Sequence, residues 1–280
     1  MFAEDGRSMP QFLHDIHALL TPQHVLVLVL MVSRISGLVM IGPVLGSAEV
    51  PMKFRGLIAI ALSLVLVPAH WDTSVAQPAT MLDMVTLVGA ELILGVALGA
   101  GVWLLMMGVQ MGGMLVSQAS GLSLADAYNP GVDESTPLIG NFLYLLTTVI
   151  FLVIGGHRAL VMALMDSFST IPIGQSPMSL MLPEMLSDIA AQSFQLAVRV
   201  AGPGLAALLL ATVVLGMIGR ALPQLNVMIV GVGLNSMLAA GVLALSMGTM
   251  VWAFRDELEP ALQRVFETIG STLPDGWITT

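Results

Sequence analysis

QMGGMLVSQASGLSLADAYNPGVDESTP, residues 110–137, decides how the chain is read. It lies near the middle, between two long apolar runs, and is rich in Gly, Ser and Gln. Its second half carries Asp126, Asp133 and Glu134, and it holds no Lys or Arg. Irregular backbone cannot face lipid, because its peptide groups would find no hydrogen-bond partners there. The stretch must lie in water, against protein or along a cavity, with the apolar runs on either side as its framework.

Composition says what that framework is. The 280 residues are 56% hydrophobic and 10% charged, against about 25% charged in a soluble domain. Mean hydropathy is +0.93. These values imply a membrane-associated, all-α chain with several helices in one unit. The net charge of -9 reflects scarce cations, nine Lys and Arg against 18 acidic residues. No basic patch offers a nucleic-acid surface. The lack of cysteine excludes disulfides and thiolate chemistry. Glu4, Asp5 and Arg7 leave the start without the positive region of a signal peptide, so the first apolar run reads as a retained helix.

Upstream of the central stretch, Met84–Val109 predicts a helix with Gly89, Gly95, Gly99, Gly101 and Gly108 along it. Gly95 and Gly99 form a G-x-x-x-G pattern, which lets two helix backbones approach closely. Before it come His24–Leu45, about 33 Å long as a helix, stopped or kinked at Gly42-Pro43, and the shorter run Phe54–Val67. Downstream, Leu138–Ile154 and Ala159–Phe168 flank Gly155-Gly156-His157-Arg158 and read as one broken helix or a tight hairpin. Two overlong helices close the apolar part, Met185–Leu222 with a kink at Pro203, and Leu225–Phe254 after a turn at Pro223. The expected organisation is an N-terminal interfacial segment over 1–23, a domain of about six long apolar helices over 24–254, and an amphipathic tail over 255–280. His14, His17 and His24 read as ordinary interfacial histidines rather than metal ligands.

Ionisable groups inside apolar helices are costly and are functional candidates by default. Arg34 and Glu91 each stand alone in such a run; pairing would lower the desolvation cost of both, and separate satisfaction at an interface is the alternative. Arg199 and Arg220 face the same question, and His157-Arg158 reads as a helix end at an interface. Met107, Met111 and Met114 share a helical face, as packing material or as a deformable apolar seal. The chain shows no Walker, H-E-x-x-H or G-x-S-x-G motif. No enzyme chemistry and no cofactor are therefore expected. A small-solute transporter would need two similar halves with matching broken helices, and only one broken segment is visible. A scaffold without a conduit is the other alternative.

Four blocks in order resemble the FliR/SctT family of type III export-gate proteins. They are SRISGLVMIGPVLGSAEVPMKFRGLIAIAL, ELILGVALGAGVWLLMMGVQMGGMLVSQASGLSLADAYNPG, GGHRALVMALMDSFSTIPIG and LGMIGRALPQLNVMIVGVGL. The resemblance covers about residues 24–255 and includes Pro223, Gln224 and Asn226 at the turn between the last helices. It implies a FliP-like part followed by a FliQ-like long helical hairpin over about Met185–Phe254. It implies a flagellar gate in the bacterial inner membrane, within the basal body, with the virulence injectisome as the alternative setting. The implied partners are FliP-like and FliQ-like subunits, FlhB-like and FlhA-like proteins, and the unfolded polypeptide in transit. It also implies a pore-closing plug loop over about 114–130, with Met114, Gln118, Gly121, Leu124, Asp126, Tyr128, Asn129 and Pro130 as its residues. Leu124 and Tyr128 stand where the family often carries phenylalanine. The tail acids Asp256, Glu257 and Glu259 are candidates for docking an FlhB-like protein.

Overall fold

Thr21 and Pro22 start the first helix. The Thr21 hydroxyl accepts from the His24 N–H, and Pro22 sits where no backbone donor is needed. In the computed structural model this helix, α1, is Pro22–Ile41, and it stops at Gly42, whose N–H reaches the Leu38 carbonyl at 2.7 Å. The structure describes residues 21–47, 49–70, 73–122, 138–175, 181–222 and 227–268. Arg55 then closes the connecting loop, donating to the carbonyls of Ser47 at 2.5 Å and Val50 at 3.1 Å. Beside it the Glu49 carboxyl is held below its usual range by its own backbone N–H and the Ser47 hydroxyl. Helix α2 is Met52–Leu66, continued by a 3-10 turn over Val67–His70 where Pro68 ends α-helical pairing.

Helix α3, Met81–Ser120, opens on a reciprocal cap. The Thr80 N–H donates to Asp83 Oδ2 at 2.9 Å, and the Asp83 N–H to Thr80 Oγ1 at 3.2 Å. Its 40 residues extend about 60 Å, twice a bilayer's hydrocarbon core of about 30 Å. The remaining helices are α4 (Leu138–Val153), α5 (Gly156–Thr170), α6 (Met181–Ala221) and α7 (Val227–Thr268). Gly155, in the left-handed region at φ 80°, separates α4 from α5, a bent break rather than a straight helix. The described chain is thus all-α, as the composition predicts.

Two boundaries differ from the sequence reading. The helix expected to end at Val109 runs on to Ser120, so the first eleven residues of the central stretch, 110–120, are helical. Their glycines sit where neighbouring helices come close, and packing outweighs their poor helix propensity. The last helix, expected to end near Phe254, continues to Thr268 with Pro260 inside it. Among the described residues, four helices are long and apolar enough to cross a membrane, and the bent α4–α5 pair makes up to five.

The helices fall into two compact units. One comprises the described residues of Met1–Gly99 and Met162–Ser179, the other those of Ala100–Val161 and Leu180–Thr280. In the first, α1 packs on α2, and α1 meets the early part of α3 through glycines. A Cβ on Gly37 would strike the Leu92 carbonyl, one on Gly95 the Arg34 carbonyl, and one on Gly99 the Gly42 N at 3.1 Å. The expected G-x-x-x-G contact is therefore present. Leu30, Met31 and Ile35 of α1 lie at its centre. In the second unit α6 and α7 lie against each other, antiparallel, as Arg199 meets Glu257 and Leu215 meets Gly231. Phe254, Leu258 and Leu262 of α7 are buried.

Large apolar side chains also point outward. Leu57 and Val65 of α2 and Leu209 of α6 are 62%, 74% and 72% exposed. At about 25 cal/mol per Å2, such surfaces are stable only against lipid or another protein.

Candidate functional site

Two constructions stand out, one in each unit. The first is a buried polar knot around Arg34, which α1 places facing α3. Arg34 Nε donates to Glu91 Oε2 at 2.5 Å, and both side chains are fully buried. Nη1 donates to the Ser167 carbonyl at 2.9 Å, the Ser167 hydroxyl at 3.2 Å and the Ile171 carbonyl at 3.2 Å. Nη2 reaches the Ile171 carbonyl at 3.1 Å. The guanidinium carbon lies 4.5 Å from the centre of the Phe168 ring, which also meets His70. The other Glu91 oxygen accepts the Gly174 N–H at 2.9 Å. Gly174 has φ 78°, and a Cβ there would meet Val75, so the position suits glycine alone.

Of the two readings the sequence left open, pairing or separate satisfaction at an interface, the structure shows Arg34 paired with Glu91. Their further partners on α5 and the following turn were not legible. Most are backbone carbonyls and an N–H, which leave no mark in a sequence. The one hint is the short segment IPIG, residues 171–174, whose glycine closes the turn.

The second construction is a glycine seam along the later part of α3. A Cβ on Gly108 would strike the Ser193 backbone, one on Gly112 would meet the Ala197 carbonyl at 2.8 Å, and one on Gly113 would meet Gly140 Cα at 2.8 Å. Gly204 completes it against Val116 at 3.1 Å. Here α3 is gripped by α4 and α6 nearly backbone to backbone. Of the shared methionine face, Met107, Met111 and Met114 are half-buried.

The seam delivers α3 to the central loop. Gln118 is exposed and accepts the Gly121 N–H at its carbonyl, 3.2 Å away. Gly121, at φ 81°, ends the helix. Leu122 and Leu138, which bracket residues 123–137 in the chain, both line an apolar groove of about 550 Å3. Phe142 of α4 and Leu243 and Met247 of α7 form its other walls. Leu124, Asp126, Tyr128, Asn129 and Pro130 lie outside the described residues, as do Pro223, Gln224 and Asn226.

The other predicted charges separate from these sites. Arg199 belongs to the second unit and faces Glu257 at 2.9 Å and Asp256 at 3.6 Å. Two of the tail acids expected to meet a partner protein thus face an arginine of the same chain. His157 and Arg158 are exposed at the start of α5, consistent with a helix end at an interface. Arg220 is exposed in the last turn of α6, where a cation complements the helix dipole.

Long apolar helices joined by glycine seams and a buried ion pair define a helical membrane protein whose chemistry lies in packing. The model of the family "Bacterial export proteins, family 1" matches residues 25–261, and the chain belongs to that family. It is 26% identical over 242 residues to the flagellar biosynthetic protein FliR of Caulobacter vibrioides, covering 86% of this chain and 96% of that protein. It is 24% identical to FliR of Escherichia coli, over 86% of this chain and 89% of the relative. It is 28% identical to the Yop proteins translocation protein T of Yersinia pestis, over 68% of this chain and 74% of the relative.

Proposed function

We propose that the chain is a structural, non-enzymatic subunit of the flagellar type III protein export gate in the bacterial inner membrane, at the basal body. It assembles there with FliP-like and FliQ-like subunits, and with FlhB-like and FlhA-like proteins beside them. The single observation that carries this reading is the family match across residues 25–261, which takes in nearly every described helix. In this reading the segment before α6 is the FliP-like part, and α6 with α7 is the FliQ-like hairpin. Their lengths of 41 and 42 residues and their antiparallel packing favour it. The stretch from Met114 to Pro130 serves as the plug for the unfolded polypeptide. The glycine seam holding α3 up to Ser120, and the apolar groove beside Leu122 and Leu138, support that role by giving the loop a firm base.

The injectisome is the second reading, favoured by the Yersinia relative. The flagellar reading is stronger because the Caulobacter relative is matched over nearly its whole length. Co-expression with flagellar FliP-like and FliQ-like proteins, followed by mass measurement in mild detergent, tests the proposal. A complex of unequal stoichiometry with one copy of this chain is the expected result. A monomer or dimer indifferent to those partners overturns it.

A further inference from the structure

We infer that Arg34 is a positioning residue whose main task is to clamp the end of α5 and the turn Ile171–Gln175, with Glu91 as the second jaw. This inference does not rest on the export reading. The geometry separates two roles that a buried ion pair can have. If Arg34 and Glu91 served only to neutralise each other, one contact between them would suffice. The guanidinium also donates to the carbonyls of Ser167 and Ile171 and to the Ser167 hydroxyl. The Ile171 carbonyl lies just past the last turn of α5, where a helix leaves acceptors without intrahelical donors, and the Ser167 carbonyl takes the guanidinium beside the Ile171 N–H. A planar, always charged fork is suited to cover several of them at once. Glu91 grips the same turn from its other end, through the Gly174 N–H. Ile173, between the two held points, is 1% exposed. Phe168 is fixed under the guanidinium.

The clamp makes a prediction that simple pairing does not. Exchanging the charges, Arg34→Glu with Glu91→Arg, restores neutrality but aims a carboxylate at two carbonyl oxygens. The exchange should therefore fail to restore the turn.

The chain has no cysteine, so single thiols report cleanly. Ile173→Cys in the full chain, in native membranes, is labelled with N-ethylmaleimide, and labelling should be slow in the otherwise unchanged protein. Adding Glu91→Gln or Arg34→Gln should speed it by on the order of a hundredfold, as loss of one partner of a buried pair implies. The charge exchange should label as fast as the single variants. Leu196→Cys, fully buried in the second unit, should stay protected throughout. Arg34→Lys keeps the charge but loses the fork, and covers the case in which the neutral variants do not accumulate; it should give a smaller rise. The inference is overturned if the charge exchange restores slow labelling, or if no variant, Arg34→Lys included, changes the rate. It is equally overturned if Leu196→Cys opens in step with Ile173→Cys, which would make the pair a general folding element.

Discussion

Arg34 and Arg199 are the same residue type in two long apolar helices, each facing glutamate, yet they belong to different physical regimes. Arg34 and Glu91 are fully buried, and every displaced water has a protein replacement, from Ser167, Ile171 and Gly174. Arg199 is 48% exposed and Asp256 53%, while the closer Glu257 is 12% exposed, so water still solvates the arginine alongside its contacts. A buried pair contributes little over an apolar substitute of the same shape, but breaking it leaves an uncompensated charge. An exposed pair is weakened by solvent and salt and matters little either way. The difference teaches that a charged residue in a hydrophobic helix is a structural commitment only when the fold removes its water.

Glu91→Gln should give the largest effect, destabilising the first unit by about 3–5 kcal/mol because Arg34 stays buried without a counter-charge. Thermal unfolding in detergent measures it. A shift no larger than that of an exposed-pair variant would break the comparison. Replacing both partners by methionine should recover only part of the loss, since the Ile171 carbonyl would then lose its guanidinium donor and the Ser167 carbonyl would keep only the Ile171 N–H.

Next come the glycines that let the helices meet. Gly95→Ala drives a Cβ into the Arg34 carbonyl and should cost about 1–3 kcal/mol by overpacking. Gly113→Ala in the second unit, opposite Gly140, should fall in the same range. Gly56→Ala, with open space around it, should be neutral or stabilising by up to about 1 kcal/mol. Melting temperatures of the three variants sharpen the contrast between close approach and mere glycine content. If Gly56→Ala destabilises as much as Gly95→Ala, close approach is not the reason for the glycines.

Arg199→Gln should give the smallest effect, about 0–1 kcal/mol. Any such cost should shrink as salt is raised to about 1 M, where screening reaches about 3 Å. A cost that persists at high salt would place the Arg199 cluster with the Arg34 knot after all.

Much of this was readable in advance, and the parts that were not share a cause. Gly42-Pro43 marks a helix end by local chemistry, whereas the caps at Thr21 and Thr80 became visible only in the structure. Arg34 and Glu91 were legible as charges needing partners because each stands in an apolar run, but only the packing shows that they serve each other. Residues 110–120 read as loop material because Gly113 and Gln118 are poor signs of helix in isolation. Only the closeness of Gly140 and Ala197 shows why glycine is suited to that helical position. Residues 255–268 read as a separate tail because their charges rise sharply. Burial of Leu258 and Leu262 keeps them within α7.

By itself, the sequence determined an all-α chain of membrane-crossing apolar helices, their approximate number and order, and the family. These follow from composition, period and local capping, which act over a few residues. Tertiary structure alone decided that Arg34 reaches across 133 residues to Ser167 and 137 to Ile171, that α3 continues to Ser120, and that two arginines of one kind have unlike roles. Those outcomes depend on which surfaces lose water together, a property of the packed chain that no local stretch encodes.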